Sequence, residues 1–179
     1  MNKVRLANNQ VRHVKGFSLV ECVFAIIVVG TMFAAAMNTL GASKRIQFRI
    51  TENNNAAWLA ESLLSEIMEQ AYIEPTETIT TFGEEALEVG AANRSRYDDV
   101  DDYHKLSNSP PVASDGNTLE GIDSSWKRTV TVTWIDPDSV PDTVASDKGL
   151  KKILVQVYKK DVLVESLHGY RQQRSDLGR

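Results

Sequence analysis

The chain has 179 residues, with 20 lysines and arginines against 24 aspartates and glutamates, for a formal net charge of -4. That acidic balance argues against a nucleic-acid binder, and the single cysteine excludes an internal disulfide framework or a site built from several cysteines. His13, His104 and His168 are too scattered to suggest a ligand cluster.

The charge is unevenly spread. Residues 1–16 hold Lys3, Arg5, Arg12 and Lys15 and no acid; without them 16 bases face 24 acids. Residues 17–40, FSLVECVFAIIVVGTMFAAAMNTL, carry one charge, Glu21. As a helix this run is roughly 36 Å long, enough to cross a hydrocarbon core of about 30 Å. The basic flank predicts a cytoplasmic N-terminus and a C-terminal bulk beyond the membrane. A secretory signal peptide shares the basic start, but its apolar core is shorter, about 7–15 residues, and a small-residue cleavage site follows it. Here Ala34-Ala35-Ala36 lies inside the run, and no such site follows. A plain signal anchor fits the length and gives Glu21 no role. A carboxylate in a spanning segment is costly unless it reaches the interface or meets a partner.

The residues at the junction are Lys15-Gly16-Phe17-Ser18-Leu19-Val20-Glu21. A basic leader ending in Gly, then Phe, Ser, two apolar residues, Glu and about 20 apolar residues resembles the processing site of type IV pilin-like proteins, the prepilins and pseudopilins. The resemblance covers residues 12–40 firmly and the rest loosely. It implies removal of residues 1–16 by a prepilin peptidase that cuts between Gly16 and Phe17, followed by N-methylation of Phe17. It also implies an assembly role for Glu21, the fifth residue of the shortened chain. In a filament its carboxylate would pair with the Phe17 ammonium of a neighbouring subunit, so that neither charge is left alone in an apolar core. Gly16 suits a scissile position because it offers no side-chain obstruction.

Beyond residue 40 the helical pattern continues to residue 72. Trp58, Leu59, Leu63, Leu64, Ile67, Met68 and Ala71 recur at spacings of three and four, a stripe that predicts core packing. Pro75 is the expected stop. Residues 17–72 would form one helix of about 84 Å, spanning over 17–40 and amphipathic over 41–73, with a kink expected at Asn53-Asn54-Asn55. Residues 74–125 read as a variable acidic loop region, with a short strand at 76–81 and loop composition at 107–121. Its densest part, Asp98, Asp99, Asp101 and Asp102, offers candidate oxygen ligands for Ca2+, although the spacing is not that of an EF-hand. The competing reading is a solvated loop neutralised by Arg94 and Arg96. His104 reads as a surface residue, and Cys22 as a small lipid-facing one.

From residue 126 the period changes to two. Val130, Val132 and Trp134 share one face and Thr129, Thr131 and Thr133 the other. A second strand at 151–158 and a third from 162 complete an antiparallel sheet over 126–170, with 171–179 as a tail. The fold class is α+β, a long N-terminal helix packed on a small antiparallel sheet, which is also the pilin architecture.

No nucleophile–base spacing, phosphate-binding glycine loop or HExxH motif marks an enzyme. The resemblance implies a structural subunit, of the minor pseudopilin or minor pilin kind, in a type II secretion pseudopilus or a type IV pilus. Its location would be the inner membrane, with a single pass and the C-terminal domain outside the cytoplasm. Its partners would be prepilin peptidase, sister subunits and the assembly platform, with no nucleic acid and no cofactor. The alternative is a signal-anchored periplasmic domain that binds a ligand or senses calcium through the acidic loop and enters no filament.

Overall fold

A computed structural model describes residues 16–75, 82–84 and 93–173. Helix α1 spans Leu19–Glu69, and the strands are β1 (Ser107–Asn108), β2 (Trp126–Trp134), β3 (Leu150–Lys159) and β4 (Val162–Gln172). All pair antiparallel in the order β1-β2-β3-β4. The architecture is α+β, as the two periodicities predict. The chain divides into two compact units, one ending at Phe48 and one beginning at Arg49.

In the first unit every described residue is exposed. The helix there is apolar, and α1 is long and apolar enough to cross a membrane. Its hydroxyls are satisfied locally: Thr31 Oγ1 donates to the Val28 carbonyl at 2.9 Å and Thr39 Oγ1 to the Ala35 carbonyl at 3.0 Å. Bonding back onto the helix spares these groups the cost of an unmet donor in an apolar medium.

The second unit is a helix end on a sheet. Ala56, Leu59, Ala60, Leu63 and Ile67 are buried, with Leu64 and Met68 packed beside them. Burying each large aliphatic side chain contributes about 1.5–3 kcal/mol. The predicted stripe is therefore the core-facing one, except that Trp58 lies at its edge and is 50% exposed. The sheet offers Trp126, Val130, Val132, Ile153, Val155 and Val157 to the same core. Val130 sits opposite Val155, and Val132 opposite Ile153, so the hydrophobic sets of β2 and β3 coincide. On β4 the matching position is Gly169, opposite Ile153. A Cβ there would lie 3.2 Å from Leu64 Cδ1 and 3.4 Å from Met68 Sδ, so α1 reaches β4 by way of a glycine. Lys160 and Asp161, both with positive φ, turn β3 into β4 in two residues, the geometry that matches the twist of a hairpin.

Several boundaries differ from expectation. The helix runs without interruption through Asn53, Asn54 and Asn55. It ends at Glu69, not residue 72, because Ala71 takes up a bridge: its N–H donates to the Asp98 carbonyl and its carbonyl accepts from Val100 N–H, each at 3.1 Å. Residues 107 and 108 form β1 where a loop is expected, and β4 extends to Gln172, into the expected tail. The strand expected at 76–81 and most of the leader lie outside the described residues.

Candidate functional site

The junction at the start of α1 is built by one serine. Gly16, Phe17 and Ser18 are exposed and non-helical, and the helix begins at Leu19. The Ser18 carbonyl accepts the first helical bond, from Cys22 N–H at 3.1 Å, and Ser18 Oγ accepts from Glu21 N–H at 3.2 Å. Ser18 is thus the N-cap, and Ser18-Leu19-Val20-Glu21 has the spacing of a capping box. That signature was available in the sequence and identifies the residue which the motif reading left without a function. The Glu21 carboxylate has no hydrogen-bond or ion-pair partner among the described residues. Cys22 is a free, exposed thiol. A side chain added to Gly16 would meet nothing within 4 Å, and Gly16 is not among the glycines with positive φ. Nothing within the fold requires glycine there.

The acidic segment is a folded knot rather than a solvated loop. Asp99, Asp101 and Asp102 are 3%, 6% and 1% exposed. Asp99 Oδ1 accepts from the N–H groups of Asp101 (2.7 Å) and Asp102 (3.3 Å), and Asp102 Oδ2 accepts from those of Asp98 (2.9 Å) and Asp99 (3.0 Å). The two carboxylates thereby hold the 3-10 turn Asp101–Tyr103 from both sides. Lys151, on the core side of β3, pairs with Asp101 and donates to the Tyr72 carbonyl at 2.5 Å; its Nζ stands 4.5 Å from the centre of the Tyr72 ring. Four residues proposed as calcium ligands are thus placed together, with several of their oxygens facing backbone N–H groups and an ammonium. Among the described residues no three His, Cys, Asp or Glu side chains are grouped to hold a metal ion.

The expected neutralisation by Arg94 is also corrected. Its guanidinium forms a two-pronged pair with Glu66 of α1, Nε to Oε1 at 2.8 Å and Nη2 to Oε2 at 3.0 Å, and Tyr103 Oη donates to the same carboxylate at 3.0 Å. Arg128, 2% exposed on the core side of β2, donates to the carbonyls of Val112 (2.6 Å) and Leu59 (3.4 Å) and to Asn108 Oδ1 (3.4 Å). Burial and the nearby Arg94 push its guanidinium down to about 10, which still leaves it charged at neutral pH. His104 is half-buried, not a surface residue. Its Nδ1 accepts from Val132 N–H at 3.2 Å, and its ring meets Phe82 edge-on. Burial and Lys105 lower its pKa, favouring the neutral ring that this bond requires.

Comparison of the chain with protein-family models, curated proteins and solved structures finds no match.

The knot carries its own pH dependence. Burial, and then the adjacent Asp101 carboxylate, push the Asp99 carboxyl up to about 8. An unfolded aspartate titrates near 4, so the stabilisation from protonated Asp99 is fully present below about pH 4 and gone above about pH 8. The melting temperature is expected to fall between pH 5 and 8, with a slope of at most about 1.4 kcal/mol per pH unit from this group. Asp99→Asn mimics the protonated carboxyl and keeps an acceptor for both N–H groups. It is expected to flatten that interval; an unchanged profile would assign the slope to other groups.

Proposed function

We propose that the chain is a structural minor subunit of a type II secretion pseudopilus or a type IV pilus, not an enzyme. A prepilin peptidase removes residues 1–16, Phe17 is N-methylated, and the subunit waits in the inner membrane before joining a fibre through its apolar helix. The C-terminal unit lies outside the cytoplasm. The observation that carries this reading is the Lys15-to-Glu21 junction, which sits in exposed chain where non-helical backbone meets the apolar helix. Two further features support it. Gly16 has no steric or backbone reason to be glycine within the fold, which suits a residue selected by a peptidase. Glu21 stands at the head of an exposed apolar segment, where burial would demand a partner from another molecule.

Intact-mass and N-terminal analysis of the protein purified from its native host tests the proposal. The expected product has lost sixteen residues, begins at Phe17 and carries one added methyl group. An intact Met1, or a cut after the apolar run, would leave only a tethered domain.

A further inference from the structure

We propose that Ser18 is a positioning residue for processing; the inference rests on the reading that cleavage falls between Gly16 and Phe17. In that step water adds across the Gly16–Phe17 peptide bond, leaving a carboxylate on Gly16 and an ammonium on Phe17. A peptidase cleft grips its substrate through main-chain hydrogen bonds to an extended segment, and backbone already engaged in a helix cannot answer them. The two bonds received by Ser18, from Glu21 N–H to its Oγ and from Cys22 N–H to its carbonyl, stop α1 at Leu19 and keep Phe17 outside it. The bond to be cut therefore lies one residue beyond the cap, in exposed chain.

The sequence shows what happens without that cap. Alanine is a poor N-cap, whereas glycine is an acceptable one. With Ser18 replaced by alanine, the next competent cap upstream is Gly16, and a helix begun there takes Phe17 as its first helical residue. The scissile bond then joins the cap to the helix. Gly16 has open space on every side, so nothing in the fold resists this extension. Ser18 works by holding the substrate's shape and need not touch the reacting atoms.

The test uses the full chain in inner-membrane vesicles with a prepilin peptidase, following initial rates over a range of substrate concentrations and the intact mass of the product. Ser18→Ala is expected to lower kcat/KM about five-fold, the factor that a lost N-cap takes from a helix start, with the cleavage position unchanged. Ser18→Thr and Ser18→Asn, which keep a capping oxygen, are expected to stay within about two-fold of wild type. Hydrogen exchange at the Glu21 amide of the uncut chain should quicken in Ser18→Ala alone. Cleavage of Ser18→Ala at the wild-type rate overturns the inference. So does slow cleavage of Ser18→Asn with normal Ser18→Thr, because the peptidase would then be reading the hydroxyl itself. A wild-type chain left uncut between Gly16 and Phe17 overturns the processing reading as well, which separates the two failures.

Discussion

Replacing Lys151 with methionine is expected to lower the unfolding free energy by about 3–5 kcal/mol, measured by denaturant unfolding of the full chain in detergent. Lys151 and Asp101 are both nearly inaccessible to solvent. Removing the ammonium leaves the Asp101 carboxylate buried with only the Gly83 N–H, at 3.3 Å, among its printed neutral donors. It also frees the Tyr72 carbonyl, so the link from β3 to the chain after α1 is lost together with the knot. The double variant Lys151→Met, Asp101→Asn removes both charges and should recover most of the loss, since a buried pair owes little of its value to net attraction. A single-variant cost below about 1 kcal/mol would mean that water reaches the pair and that the knot is not a structural tie.

The second large effect concerns assembly. Glu21→Ala is expected to reduce incorporation into a fibre about ten- to a hundred-fold while leaving removal of residues 1–16 intact. An amine without its carboxylate in an apolar core costs a few kcal/mol, and each 1.4 kcal/mol is about a factor of ten. Glu21→Asp, which keeps the charge on a shorter arm, should fall between the two. The measurement is the ratio of fibre-associated to membrane-associated subunit, with product mass as the control. Unchanged incorporation would remove the assigned role, and a block in cleavage would move that role from assembly to processing.

Much of the second unit was legible because its hydrophobic pattern is regular. Val130 and Val132 alternate with threonines, Leu59, Leu63 and Ile67 recur each turn, and the same residues are buried. What escaped the reading were charges at core positions. Arg128 has the parity of Val130 and Lys151 that of Ile153, so the pattern placed both inside, but charge argued for solvent. Their acceptors come from far along the chain: Leu59 lies 69 residues from Arg128, and Tyr72 lies 79 from Lys151. No local window contains such pairs. The acidic segment misled for a related reason. Four aspartates in five residues suggest repulsion and hydration, yet Asp99 and Asp102 are occupied by N–H groups two to four residues away. That pattern belongs to turn chemistry and could have been weighed before cation binding. At the N-terminal junction, Ser18 was recognised as part of a motif and overlooked as a cap.

Ala56 is the first residue of α1 to be buried. Two different media therefore select the residues of a single helix: upstream of that alanine a side chain answers only to whatever surrounds the molecule, and downstream it answers to the interior. A fragment beginning at Arg49 would keep every buried side chain and discard the greasy stretch. The need for detergent and the information for folding are thus written in separate halves of the same rod, and one can be dispensed with while the other is studied.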